Sequence, residues 1–343
     1  MQSVSGRATS VQSRLPSRES WIDTAKGWGI LLVVLGHALR GLQNAQLLPT
    51  TGWSHALDAW IYSFHMPLFF LLSGFFMEKA VHKPLDRALK DRAKTLLWPY
   101  LVWSVLQTLV QIRMSSYTTA QYDWMHLLGI LWKPVMQFWF LYVLLLLSLL
   151  WLGLRRIGVP APVLLLAALV LHLTQNGTGV WAMWDLVCIH GVWFAAGAVL
   201  GIMPQLIEKM RLASPSLRWT GILSGFALTS WGAMMQPDNL LHSNILWAVP
   251  GVLASLWLAM SLPADWSVTR GLGWIGRLSL EIYLVHTLAS ATMRAILLHG
   301  FKSHDVTLHL VLASLAGIMI PVALVLIGRR LQLRHVFRFG TVA

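Results

Sequence analysis

Long apolar runs separated by short basic clusters dominate this chain. The runs fall near 24–42, 56–77, 96–113, 136–154, 159–176, 181–202, 219–236, 243–262, 279–298 and 307–328. Each is close to the roughly 20 residues that a helix, rising about 1.5 Å per residue, needs to cross a bilayer. The pattern predicts an all-α polytopic membrane protein of about ten transmembrane helices. Residues 121–136 fit least well. Lys133-Pro134 interrupts them, so they either extend the fourth helix or form an interfacial or re-entrant piece.

Charge orients the runs. With the N-terminus inside, the inner segments are 1–26, 78–95, 154–158, 203–218, 263–278 and 329–343, and they hold 21 of the 26 Lys and Arg residues. The other five, Arg40, Arg113, Lys133, Arg294 and Lys302, lie at or beyond the outer ends. That excess follows the positive-inside rule, and an even number of spans leaves both termini cytoplasmic. Residues 1–20 read as a basic cytoplasmic tail rather than a cleaved signal, 21–330 as the membrane domain, and 331–343 as a basic C-terminal tail.

Composition narrows the function classes. The chain has 343 residues, 56% hydrophobic and 11% charged, against about 25% charged in an average soluble protein. Disorder needs the opposite balance. The net charge of +13 sits between apolar runs, so it belongs to topology and anionic headgroups rather than to nucleic acid. Cys188 is the single cysteine, and the 13 histidines are scattered without a metal-ligand spacing; no metal site is expected.

Titratable side chains at membrane depth are functional candidates, because each is costly there unless paired or solvated. They are Lys26, His37, Asp58, His65, Asp185, His190, Glu281, His286 and Arg294. Lys26 and His37 are eleven residues apart on the first helix, which puts them within about 20° in azimuth and roughly 16 Å apart along the axis. Asp23, near the helix start, suits the dipole and could pair with Lys26. His65, with Pro67 beside it, enters from the outer side at a depth that overlaps His37. Glu281 and His286 are about 140° apart on the ninth helix and do not share a face. The segment 78–95 reads as a cytoplasmic loop, and its Arg87, Lys90, Arg92 and Lys94 offer a surface for phosphates of an anionic ligand.

These residues carry a family pattern. WIDTAKGWGILLVVLGH at 21–37 resembles the first helix of the acyltransferase-3 family of membrane acyltransferases. FHMPLFFLLSGF at 64–75 resembles its second helix, and LLWPY at 96–100, FWFL at 138–141 and SLEIYLVH at 279–286 resemble its later landmarks. The branch it is most similar to is described as fucose 4-O-acetyltransferase-like. The resemblance implies ten helices in a bacterial inner membrane. It also implies transfer of acetyl from cytoplasmic acetyl-CoA to a sugar hydroxyl of an exopolysaccharide, lipopolysaccharide or lipid-linked glycan. The family's basic-x10-His signature maps onto Lys26 and His37, with Lys where many members have Arg. Its Arg-x-x-Arg motif is absent in literal form; Arg87, Lys90, Arg92 and Lys94 occupy that region and become the expected acyl-CoA contacts. The resemblance and the membrane placement together make His37, Lys26, His65, Asp23 and Glu281 the candidate catalytic set. A neutral histidine suits the chemistry, since a sugar hydroxyl needs a base to attack a thioester.

Two other readings stand beside this one. The acyl group could be succinyl, or the acceptor a molecule other than a glycan. From a different class, intramembrane His and Asp would serve a proton-coupled transporter as a relay. The chain shows no repeat symmetry of the kind many transporters carry.

Overall fold

The computed structural model describes residues 20–114, 122–175, 181–235, 244–331 and 337. Most of the N-terminal tail and most of the C-terminal tail lie outside the described residues. Helices make up the described chain, with no strand among these residues. Each apolar run forms a helix. We number the long ones α1 (Ser20–Asn44), α2 (Trp53–Gly74), α3 (Trp98–Met114), α4 (Trp139–Arg156), α5 (Ala161–Thr174), α6 (Ala182–Gly201), α7 (Pro215–Met235), α8 (Ile245–Ser261), α9 (Ser279–Ala295) and α10 (Val306–Arg330).

Six stretches are long and apolar enough to cross a membrane by length and composition: Ser20–Asn44, Trp53–Val81, Leu85–Met114, Met136–Arg156, Ala182–Gly201 and Val306–Arg330. Ala161–Thr174 and Ile245–Ser261 are apolar but shorter. α9 is diluted by Glu281, His286 and Arg294. The chain is a membrane protein in which polar groups interrupt several of the spanning elements.

The centre of the bundle is α1, which packs on α2, α8, α9, α10 and the short helix Ser267–Arg277. Its sequence explains the position. Gly27, Gly29 and Gly36 keep its surface narrow, and fourteen of its 25 residues are buried. Around it, α9 pairs with α10, α7 with α8, and α6 with α2 and α5. Where α2 crosses α6 the backbones touch. A Cβ on Gly74 would strike the Phe194 carbonyl, and a Cβ on Gly197 would strike that of Leu71. Small residues at such crossings let membrane helices approach by van der Waals contact, since lipid supplies no hydrophobic drive between them.

One segment differs from the sequence expectation, and another takes one of the alternatives the sequence left open. The basic stretch read as a loop at 78–95 is largely helical: Met77–Val81, then Leu85–Arg92, then a π-helical turn, Ala93–Leu97, that runs into α3. Pro84 starts the second of these helices, its φ of −51° suiting a helix entry. Residues 122–135 do not extend α4, although the turn after them leads into it. They include a short exposed helix, Met125–Gly129, and a 3-10 turn, Met136–Phe138, follows, with Lys133-Pro134 between the two.

The α2–α6 crossing gives a direct check on this packing. Gly197→Val inserts three carbons where no space exists. It is expected to destabilise the protein by about 1–3 kcal/mol or more, read as a lower melting temperature of the detergent-purified protein. An unchanged melting temperature would contradict the crossing.

Candidate functional site

Two cavities lie end to end along α1. The first, about 600 Å³, is lined by Asp23, Lys26, Ile30 and Val33 of α1, by Phe69, Leu72 and Ser73 of α2, and by Arg92, Phe140, Leu144, Arg277 and Tyr283, among others. The second, about 350 Å³, is lined by Val33, His37, Arg40 and Asn44, and by Tyr62, Gln137, Trp139, Thr287 and Arg294, among others. Val33, Met66 and Tyr283 line both and form a collar where the cavities meet. Lys26 therefore opens onto one side of the collar and His37 onto the other, as their shared azimuth on one helix requires.

The Lys26 cavity is cationic at its mouth and apolar along its wall. Lys26 Nζ stands 5.7 Å from the Phe76 ring. Arg277 Nη1 lies 3.7 Å from an Asp23 carboxylate oxygen. That approach depends on the close seat of Ser267–Arg277 against α1, where a Cβ on Gly276 would strike the Asp23 carbonyl. Arg92 reaches the cavity from the turn that precedes the π-helical segment, and Thr95 and Leu96 reach it from that segment. A π turn shifts the register of a helix, and such turns concentrate at functional sites.

The His37 cavity is built around imidazole and phenol rings. His37 lies 5.0 Å from the His286 ring and 6.2 Å from that of Tyr62, centroid to centroid. His286 is fully buried. Its Nδ1 lies 2.8 Å from the Tyr283 carbonyl and 3.2 Å from that of Ile282. A carbonyl accepts only, so Nδ1 carries the hydrogen and Nε2 is left as the basic nitrogen; it has no hydrogen-bond partner among the described residues. Arg40, one turn beyond His37, grips Asp58 with two hydrogen bonds of 2.8 and 3.0 Å, and its guanidinium carbon lies 3.1 Å from the Tyr62 ring centroid. The Tyr62 hydroxyl is buried beside the Arg40 guanidinium.

The floor of this cavity is held by a chain of polar contacts. The Gln137 amide donates to Gln107 at 3.0 Å and to Thr287 at 2.8 Å, and the Tyr283 hydroxyl donates to the Gln137 carbonyl. Beside them Met136 adopts φ +47°, an unfavourable backbone for a side chain that long. Such strain persists only where neighbours over-determine it, and the Gln137 contacts do so here.

The structure distributes the expected site residues unevenly. Lys26 and Asp23 line one cavity and His37 the other. Of the four basic residues proposed for the acyl-CoA, Arg92 lines the Lys26 cavity. Arg87, Lys90 and Lys94 are exposed and line neither cavity; Lys90 faces Asp86 at 3.5 Å. His65 is buried, with Nδ1 2.7 Å from the Ile61 carbonyl, and meets the far edge of the Tyr62 ring at 4.7 Å. Glu281 is buried and lines neither cavity. His190 stacks on Phe70 and Trp139. Arg40, Tyr62 and Gln137 enter the site without having been singled out as candidates from the sequence; His286 was a titratable candidate left outside the catalytic set. Arg40 had a local signal, since three residues past His37 on a helix is the same face. Among the described residues no group of three His, Cys, Asp or Glu could hold a metal ion.

Residues 19–328 match the model of the acyltransferase-3 family, described as an acyltransferase domain, and the chain belongs to that family. It is similar to Nodulation protein NolL of Mesorhizobium japonicum (strain LMG 29417 / CECT 9101 / MAFF 303099), 32% identical over 133 residues, 37% of this chain and 33% of that protein. It is also similar to Nodulation protein NolL of Sinorhizobium fredii (strain NBRC 101917 / NGR234), 40% identical over 96 residues, 26% of this chain and 24% of that protein. The matched stretches span a third or less of those relatives. No solved structure matches the chain.

The Arg40–Asp58 pair sets a stability prediction. Asp58 is 3% exposed, so Asp58→Ala strands a guanidinium whose partner is gone. Breaking a buried pair from one side costs about 3–5 kcal/mol. Arg40 keeps some solvent, so the low end of that range is expected, read as a drop in melting temperature. A variant that melts with the wild type would show that the pair carries no structural weight.

Proposed function

We propose that this chain is an integral membrane O-acetyltransferase of a bacterial cytoplasmic membrane. It takes acetyl from acetyl-CoA at the cytoplasmic face and delivers it to a hydroxyl of an exopolysaccharide, lipopolysaccharide or lipid-linked sugar. The observation that carries this reading is the wall of Val33, Met66 and Tyr283 that a cationic cavity and a histidine-lined one share. Charge placement supports the direction. The cations of the Lys26 cavity, namely Lys26, Arg92 and Arg277, come from segments that the positive-inside rule assigns to the cytoplasm, and Arg40 and Arg294 come from the opposite ends. Ten crossings with both termini inside follow from the same assignment.

In this reading Lys26, Arg92 and Arg277 hold the CoA phosphates. Lysine does so as a point charge, and arginine as a two-pronged donor. Asp23 orients Arg277. The pantetheine arm follows the apolar wall of Ile30, Phe69 and Leu144 to the collar, which presents the thioester carbonyl to His37. On the other side the acceptor hydroxyl stands against His37. As its oxygen attacks the carbonyl carbon, His37 takes the hydroxyl proton. The new C–O bond gives a tetrahedral oxyanion. When it collapses the C–S bond breaks, the ester remains on the sugar, and the CoA thiolate recovers the proton from His37. The Tyr62 hydroxyl, on the wall of the same cavity beside Arg40, is the proposed donor to the oxyanion. His286 fixes the His37 ring by edge contact, and His65 does the same for Tyr62 from behind; both are positioning residues.

Acetyl-CoA labelled in the acetyl group, supplied to the cytoplasmic face of inverted vesicles, is expected to label membrane glycan. His37→Ala is expected to lower that rate by about 100-fold or more, the scale of a general base, with the melting temperature retained. His286→Ala is expected to lower it less, by roughly 10-fold. Normal transfer by the His37 variant would remove this residue from the mechanism.

A further inference from the structure

Two guanidinium groups line the His37 cavity, and they are not equivalent. Arg40 is neutralised by the two-pronged grip of Asp58. Arg294 has neither an ion pair nor a hydrogen bond among the described residues. Its head is turned inward rather than to lipid: it lines the cavity and rests on α1 at Gly41, where an added Cβ would strike Nη1. The glycine thus leaves a slot for the guanidinium. The remaining polar groups of the wall, including Asn44, Gln137, Thr287 and Ser290, are neutral. The cavity therefore carries one permanent positive charge without a protein counter-charge. Arginine stays protonated in proteins, and a partly buried charge on a cavity wall is costly without a partner, which makes it a candidate ligand contact.

We propose that Arg294 is an anion subsite of the His37 cavity, binding a carboxylate, phosphate or sulfate of the substrate beside the hydroxyl that is acylated. The proposal rests on the acyl-transfer reading for the identity of the cavity as the acceptor chamber. The anionic group has two possible sources. It belongs to the acceptor, as in a uronic acid or phosphorylated sugar, or to the acyl group itself, as in the free carboxylate of a succinyl unit that passes the collar. A guanidinium fork matches either one with two charge-assisted hydrogen bonds.

The test is equilibrium binding of labelled probes to the full-length protein in detergent. One arm compares methyl β-D-glucuronide with methyl β-D-glucoside, and the other compares succinyl-CoA with acetyl-CoA. The wild type is expected to prefer the charged member of one pair by about tenfold or more, and the pair that shows the preference names the source. Arg294→Gln is expected to abolish the preference, and Arg294→Lys to keep part of it. Gly41→Ala keeps the cation but crowds it from its slot, and is expected to weaken the preference several-fold. Indifference of the wild type to charge in both pairs would overturn the subsite, as would a preference that survives in Arg294→Gln. Failure of the acyl-transfer reading looks different: charge-dependent binding persists, but vesicles supplied with acetyl-CoA or succinyl-CoA transfer no acyl group.

Discussion

A helix comes back to nearly the same azimuth after eleven residues. This constraint governs the site. Lys26 and His37, eleven apart on α1, must look the same way from depths roughly 16 Å apart. Any helix that places both in use has to sit at the centre of the bundle with open space along one side. α1 does so. It touches four other long helices and the short helix Ser267–Arg277, and its open side is the wall of both cavities. Val33, between the two residues on that wall, becomes one jamb of the collar.

The polar groups that apolar segments carry are handled in two ways. Some are satisfied inside the protein. Asp58 is gripped by Arg40, Glu78 accepts from Arg155 and Trp151, and the Gln107–Gln137–Thr287 chain closes on itself. Others are left facing space. The Arg294 guanidinium belongs to this second group, and it lines the His37 cavity. Buried polar groups in folded proteins are normally paired, and exceptions call for a reason. Among the described residues, unpartnered polar groups are spread through the bundle, from Trp21 to Ser314; the Arg294 guanidinium is set apart by its place on the wall of the His37 cavity.

Much of this was legible along the chain, because the signals are local. Apolar length located ten helices, since helix formation in lipid is dictated by backbone satisfaction within each segment. The azimuth of Lys26 and His37 is arithmetic on one helix. The failures came from geometry between helices. Glu281 and His286 were rightly placed on different faces of α9, but nothing local told which face would meet α1; packing chose the His286 face. The stretch 78–95 looked like a loop because its charges mask its helical form. Arg92, at the end of the helix before the π turn, lines the cavity, while Arg87, Lys90 and Lys94 stay outside. The pairing of Arg40 with Asp58 joins residues on two helices, and a single sequence without its fold offers no way to match them.

The account stands on the collar being a passage from one cavity to the other. The most direct measurement is an experimental structure of the protein with a non-hydrolysable ketone analogue of acetyl-CoA. The account predicts the nucleotide end against Lys26, Arg92 and Arg277. It predicts the arm threaded along Ile30 and Phe69, and the acyl carbonyl at the Val33–Met66–Tyr283 ring, about 3–3.5 Å from where an acceptor oxygen held by His37 would lie. An analogue bound elsewhere, or one whose acyl end stops short with the ring closed between it and His37, would contradict it.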